Sequence, residues 1–266
     1  MKVYDCFTFF NELDLLEIRL NELNNIVDYF VLVESTKTWQ NKNKPCIFEE
    51  NKTRYKDFLH KIIRVEVPAE KYTFDTWNNE RLSFNYIIEG LQGATDEDLI
   101  MLSAMDEIPK QNTIKEAISS NQFPKCVITQ FYQYYLNTKF DVGGSPNWHG
   151  TYLTKLKNIN KNNLYSFVQL RKQCPSIYGG WHFTFLGNES DVYTKTNSYA
   201  HTEFKHFSKE HFRDKIDNLK DPFDRGETIF NCIEDVKNLP IYVQNNLEKF
   251  LTILKNKNEN LYNTSL

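Results

Sequence analysis

The amino-acid sequence predicts an α/β fold, a mixed but mainly parallel sheet flanked by helices, in one domain over residues 1–255 with a polar tail over 256–266. Three observations predict it. Short apolar runs such as Leu99-Ile100-Met101-Leu102 do not alternate with polar residues, as expected of strands covered on both faces. Between such runs lie segments whose leucines recur every three or four residues, the stripe of an amphipathic helix. Strand and helix signals take turns through the first half of the chain, and that order builds parallel sheets.

Taken in order, Val3-Tyr4-Asp5-Cys6-Phe7-Thr8-Phe9-Phe10 is the first strand. Asn11 is placed to cap the next helix, with Asp14 three residues on as in a capping box, and Leu13, Leu16, Leu20 and Leu23 form its buried stripe. Tyr29-Phe30-Val31-Leu32-Val33-Glu34 is the second strand, closed by the polar Ser35-Thr36-Lys37-Thr38, and residues 61–67 make a third. Phe84, Ile87, Ile88 and Leu91 mark one helix face ahead of Gly93. The strand from Leu99 then stops at Asp106-Glu107, closed by Pro109, which cannot continue a central strand. Residues 126–135 read as an aromatic strand, followed by a loop holding Gly143, Gly144, Pro146 and Trp148. Val243, Leu247, Phe250, Leu251 and Leu254 predict a late helix after Pro240.

Composition narrows the function classes. With 266 residues the chain can bury a substantial core, and its 25% charged residues with net charge -3 lack the basic footprint of a nucleic-acid binder. The five cysteines are dispersed and lack CxxC spacing, which argues against a disulfide framework or a cysteine zinc site. No apolar run approaches the ~20 residues that cross a bilayer, and no basic segment with a cleavage site precedes the first strand. A cytoplasmic protein of bacterial or viral type is the expectation. P-loop, G-x-G-x-x-G and G-x-S-x-G motifs are all missing from the sequence.

Four segments can carry chemistry. Asp106 and Glu107 follow a core strand, where a carboxylate can hold a divalent cation against a phosphate, or simply form an acidic turn. Trp77-Asn78-Asn79-Glu80-Arg81 opens a helix, and its arginine can receive a phosphate or pair within the helix. Gly179 and Gly180 precede Trp181-His182. They permit a tight turn that presents the Trp181 indole to a sugar ring, or they belong to a core strand in which His182 meets a backbone carbonyl. His201 and Glu203, two apart on a strand, would share a face as a metal pair, an acid/base couple or a solvated surface. Zinc on His182, His201 and His206 would depart from usual ligand spacing.

Read together, these segments identify a resemblance to glycosyltransferase family 17, the family of the bisecting N-acetylglucosaminyltransferases. It is carried by Tyr4-Asp5-Cys6-Phe7, the run from Phe10-Asn11-Glu12-Leu13 to Leu20, Val27-Asp28-Tyr29-Phe30, Val33-Glu34-Ser35-Thr36 and Phe48-Glu49-Glu50-Asn51. Asp106-Glu107-Ile108-Pro109, Gly180-Trp181-His182-Phe183, Ala200-His201-Thr202-Glu203-Phe204 and Leu239-Pro240 continue it in order. The resemblance implies a GT-A-like, Rossmann-like fold and an inverting transfer of a sugar, N-acetylglucosamine by family expectation, from a UDP-sugar donor to a glycan acceptor. It also implies Mn²⁺ or Mg²⁺ on a D-x-D element.

This chain departs from that pattern. Where the family carries S-D-x-D-E-I-P, it has Ser103-Ala104-Met105-Asp106-Glu107-Ile108-Pro109, so the first aspartate is Ala104. A methyl group binds neither metal nor ribose, which points to an impaired site of engineered or natural origin. Phe84 stands where the family carries arginine. The resemblance places Asp106 and His201 as metal ligands and Phe10, Asn11, Glu34 and Ser35 at the nucleotide. Trp77, Arg81 and Ala104 are further donor-side positions, and Trp181 is the acceptor platform. Glu203 and His182 are the candidate bases, with Asp106 catalytic through the metal. The alternative class is a catalytically silent nucleotide-sugar or glycan-binding protein, and Glu203 paired with Asp106 would suit a glycoside hydrolase.

Overall fold

The computed structural model describes residues 1–142, 146–226, 229–233 and 235–255. The polar tail expected from Asn256 onward lies outside the described residues, as do Gly143 and Gly144 of the expected loop.

The first half follows the expected order: β1 (Val3–Thr8), α1 (Leu13–Leu23), β2 (Tyr29–Glu34), α2 (Ile47–Asn51), β3 (Ile62–Glu66), α3 (Thr76–Asn85) and β4 (Leu99–Ala104). β1, β2, β3 and β4 pair in parallel, in the order β4-β1-β2-β3. Successive residues of a strand point to opposite faces, and both faces here are apolar. Val3, Phe7, Phe30, Leu32, Leu99 and Met101 join the α1 side of the core, while Tyr4, Cys6, Val31, Val33, Ile100 and Leu102 pack with Phe84, Ile87 and Leu91 on the other. That two-sided burial is why the strand sequences show no alternation.

The second half turns antiparallel. It comprises β5 (Glu107–Pro109), α4 (Gln111–Ser120), β6 (Lys125–Gln133), β7 (Thr138–Val142), β8 (Asn147–Lys155), α5 (Phe167–Leu170), β9 (Ser176–Thr184), α6 (Glu189–Thr196), α7 (Lys209–Asp217), β10 (Ile229–Cys232) and α8 (Ile241–Asn245). β8 joins the halves by pairing antiparallel with both β4 and β6, and all ten described strands belong to one mixed sheet.

Several expected details are corrected. Asn11 does not cap α1: Glu12 occupies that position and folds its carboxylate back to accept the Phe10 and Asn11 backbone N–H groups at 3.1 Å. Asp14 pairs instead with Arg54. The helix expected around Phe84 to Leu91 is α3 followed by a 3₁₀ segment, Tyr86–Leu91. Trp148 lies within β8, not in a loop. In the late helix Val243 and Phe250 are buried, but a break at Asn246 turns Leu251 out to solvent. Pro109 does not end the strand signal; it closes β5, which pairs antiparallel with Gly180 to His182 of β9.

Gly180 shows why that pairing needs glycine. A Cβ there would sit 2.7 Å from the Ile108 carbonyl oxygen and 2.8 Å from Thr129 Cγ2. The carbonyl belongs to the strand ladder and cannot swing away. Gly180→Ala is therefore expected to lose about 1–3 kcal/mol of stability. Gly93→Ala, which meets nothing within 4 Å, is the matched control and should be neutral or slightly stabilising in the same thermal melts. Equal melting temperatures for the two variants would contradict the close approach.

Candidate active site

Strand β1 lies between β2, which the chain reaches next, and β4, which it reaches by crossing back, so the winding direction reverses between β1 and β4. In open α/β sheets ligands bind beyond the carboxyl ends of the strands at such a point. A cavity of about 290 Å³ opens there, lined by Thr8 to Phe10 at the end of β1, Glu34 and Ser35 at the end of β2, and Ala104 to Glu107 from the end of β4 onward.

The turn carrying Asp106 is built from below. Asp5 of β1 and Arg19 of α1 are fully buried and paired, with Nη2 at 2.6 Å and Nε at 2.8 Å from the carboxylate oxygens. The same guanidinium donates through Nη1 to the carbonyls of Ala104, Met105 and Glu107 at 2.9–3.0 Å, and through Nη2 to Ser103 Oγ at 2.6 Å. One side chain thus fixes the path of the whole turn. Glu107 is equally occupied: its carboxylate takes both bonds from Arg171 Nη1 at 2.9 Å, the Trp148 indole N–H at 2.5 Å and the Ala104 N–H at 2.9 Å. It braces the cavity wall and has no lone pair left for a cation.

Asp106 is 6% exposed and faces the cavity. Lys195 Nζ lies 2.9 Å from Oδ2, and His182 Nε2 lies 3.6 Å from Oδ1. Burial opposes the carboxylate's charge, but Lys195 and His182 outweigh it and hold the group well below the usual carboxylate range. Burial likewise opposes the Lys195 charge, and Asp106 with Glu12 at 3.7 Å outweighs that and raises its pKa. Lys195 reaches this place because Asn188 and Asp191 form a reciprocal capping box that starts α6, and the lysine comes up in its last turn.

Glu80 on α3 also lines the cavity. Burial pushes its carboxyl up to about 7, against the opposing pull of a 3.2 Å hydrogen bond from Tyr165 OH and of His201, Arg81 and Arg171. Trp148 is 39% exposed and packs against His182 with ring centroids 4.8 Å apart, presenting an aromatic surface at the cavity wall. The His182 Nδ1, Arg171 Nε and Tyr199 hydroxyl are buried without a hydrogen-bond partner among the described residues, polar groups of three cavity-lining side chains.

The expected site residues separate into two groups. Phe10, Glu34, Ser35, Ala104, Asp106, His182 and His201 all line the cavity. Within it, Glu34 is held by Arg64 Nε at 2.7 Å and the Phe48 N–H at 3.2 Å, and Ser35 Oγ donates to the Val67 carbonyl. Asn11 lines a smaller neighbouring cavity. Arg81 is exposed on the outer side of α3 against Tyr165, and Trp77 meets His201 edge-on at 4.5 Å without lining the cavity.

Trp181 is corrected. It is 3% exposed in β9, stacks on Phe183, and donates its indole N–H to the Asn238 carbonyl, so it has no face for a sugar. Gly179 and Gly180 lie in the strand, and His182 meets Asp106, not a carbonyl. His201 and Glu203 are not on a strand: a 3₁₀ turn at Thr202–Phe204 folds the Glu203 carboxylate onto His201 Nδ1 at 2.7 Å. Glu203 is exposed and does not line the cavity that Asp106 faces.

The donor set does not suit Mn²⁺ or Mg²⁺, which take several oxygen ligands. Asp106 is engaged by Lys195, Glu107 is saturated, and position 104 offers a methyl group. Among the described residues no group of three or more His, Cys, Asp or Glu side chains is arranged to hold a metal ion.

Lys195 and Arg171 escaped the sequence reading, and Glu80 was included only as part of the Trp77–Arg81 segment, without a role of its own. Lys195 was signalled by the Asn188…Asp191 capping spacing, and Glu80 by sharing a helix face with Ser83 and Phe84. Arg171 carries no local signal.

A cavity at the switch point of the sheet's parallel half, floored by a buried carboxylate–ammonium pair, defines an α/β protein with a ligand-sized site beyond the carboxyl ends of its strands. The chain belongs to glycosyltransferase family 17, whose match spans residues 1–254. None of the curated proteins matches the chain. Among solved structures it is similar to 2-C-methyl-D-erythritol 4-phosphate cytidylyltransferase of Francisella tularensis, at 9% identity over 74% of this chain and 100% of that one, TM-score 0.44. A 4-diphosphocytidyl-2C-methyl-D-erythritol synthase matches at 12% identity over 73% of this chain and 96% of that one, TM-score 0.40. Mannose-6-phosphate isomerase of Helicobacter pylori matches at 15% identity over 90% of each, TM-score 0.33. Among the described residues no helix is long and apolar enough to cross a membrane.

Proposed function

We propose that this glycosyltransferase has a GT-A-type active site that transfers N-acetylglucosamine from a UDP-sugar to a glycan hydroxyl with inversion. The observation that carries the reading is the cavity at the carboxyl ends of β1, β2 and β4, with the Asp106–Lys195 pair facing into it. The uridine would lie against Phe10, Glu34 and Ser35, and the diphosphate toward Lys195 and Lys44, two of the cations that line the same cavity. Trp148, rather than Trp181, offers the exposed ring on which an acceptor sugar can stack.

In the reaction the acceptor oxygen forms its bond to the anomeric carbon as the bond from that carbon to the diphosphate oxygen breaks. UDP leaves with the bonding electron pair. The acceptor proton goes to a general base, and Glu80 has the placement and the raised pKa for that role near neutrality. Lys195 offsets charge developing on the departing diphosphate.

Calorimetry with UDP, joined to a transfer assay that reads the anomeric configuration of the product, tests this. UDP should bind, and an α-linked donor should yield a β-linked product. Absence of UDP binding, or a retained configuration, would overturn the reading. Ala104 is the specific observation favouring a silent nucleotide-sugar binder. Binding of UDP with no turnover in the native chain, and turnover restored by Ala104→Asp, would give that reading the advantage for the chain as it stands.

A further inference from the structure

We infer that Lys195 takes the place of the divalent cation, so that this chain binds its nucleotide diphosphate without a metal; the inference rests on the UDP-sugar reading of the cavity. Two carboxylates and a divalent cation sum to zero charge, and so do one carboxylate and one ammonium. Against the two carboxylates of the D-x-D element that the resemblance implies, this chain has Ala104 and Asp106, and Lys195 supplies a single positive charge at 2.9 Å from the Asp106 carboxylate. The two features are complementary: the site that has lost a metal ligand holds a fixed cation in its stead.

Geometry supports the exchange. The Lys195 side chain is 21% exposed, and the residue lines the cavity together with Asp106, so its ammonium can serve both the carboxylate and a ligand oxygen. An ammonium has three donors. Asp106 takes one at 2.9 Å, Glu12 lies at 3.7 Å, and a phosphate oxygen entering the cavity can take another. Asp106 in turn fixes the ammonium in place, a positioning role in which a carboxylate holds a lysine instead of a metal. His182 and Glu12 are the other ionisable groups facing the pair.

The test is UDP binding to the native chain, by calorimetry in EDTA and again with saturating Mn²⁺. Equal affinities in the two conditions are expected. Lys195→Met should weaken UDP binding by about tenfold or more in both, the loss of one charge-assisted contact, and Lys195→Arg should recover most of it. The double variant Ala104→Asp/Lys195→Met should bind UDP well only with Mn²⁺. Binding by the native chain only in Mn²⁺ would overturn the inference while leaving the donor reading intact. Undiminished binding by Lys195→Met in EDTA would also overturn it. No UDP binding in either condition would remove the donor reading and this inference together. If Lys195→Met fails to fold, the comparison on the unsubstituted chain still decides metal independence, and Lys195→Gln in EDTA tests the ammonium by the same loss of binding.

Discussion

Arg19→Met is expected to cost about 3–5 kcal/mol of folding stability, the range for breaking a buried ion pair from one side. Asp5 would be left charged and fully buried, and the carbonyls of Ala104, Met105 and Glu107 and the hydroxyl of Ser103 would each lose a donor. Against a total stability of about 5–15 kcal/mol for a typical domain, that is a large share. Chemical denaturation would measure it. Asp5→Leu/Arg19→Met should recover part of the loss by removing the orphaned charge, but not all, because the three carbonyls still lack the Arg19 donor. A loss below about 1 kcal/mol for Arg19→Met would show that the turn is held by other means. If the turn depends on Arg19 as its bonds indicate, UDP binding should weaken in any variant that remains folded.

Glu80→Gln is expected to lower kcat by about 10²–10⁴-fold, the contribution of a general base. Its pH behaviour makes the prediction specific. With the carboxyl pushed up to about 7 by burial, the native chain's kcat/KM should fall on the acid side as Glu80 gains its proton, with an apparent pKa near 7. The variant should lack that limb. Stability should respond in the opposite sense. A carboxyl whose folded pKa is raised binds its proton more tightly in the folded state, so folding weakens as pH rises from about 4.5 toward 7. Glu80→Gln should remove that slope. An unchanged kcat with the acid limb intact would assign the base elsewhere, with His182 the next residue to test.

Much of the architecture was legible because it depends on local pattern. The uninterrupted apolar runs at Tyr29 to Glu34 and Leu99 to Leu102 announce strands buried on both sides, and the leucine stripe of α1 announces a helix between them. The positions the family resemblance named are far apart in sequence, and the fold brings Phe10, Glu34, Ser35, Ala104 and Asp106 to line one cavity. The errors have a common cause. Asn11 looked like a cap, Trp181 like a sugar platform, and His201 with Glu203 like a strand pair. Each role is a statement about what surrounds a side chain. Trp181 was withdrawn from any ligand once β9 paired with β5, and Glu203 was turned outward by a single 3₁₀ turn.

By itself the sequence determined the strand and helix order of the first half, the family, and the presence of Ala104 two residues before Asp106. Those properties reside in residue type and spacing along the chain. Only the tertiary structure decided which charges meet. Lys195 is 89 residues from Asp106 in sequence and 2.9 Å away in space, and Arg19 reaches across 85 residues to the carbonyl of Ala104. Side-chain pairing between distant elements depends on how β1 and β4, α1 and α6 are brought together, and no local pattern encodes that. The composition of the site follows from those meetings: one carboxylate, one ammonium, and a glutamate whose pKa is set by its burial.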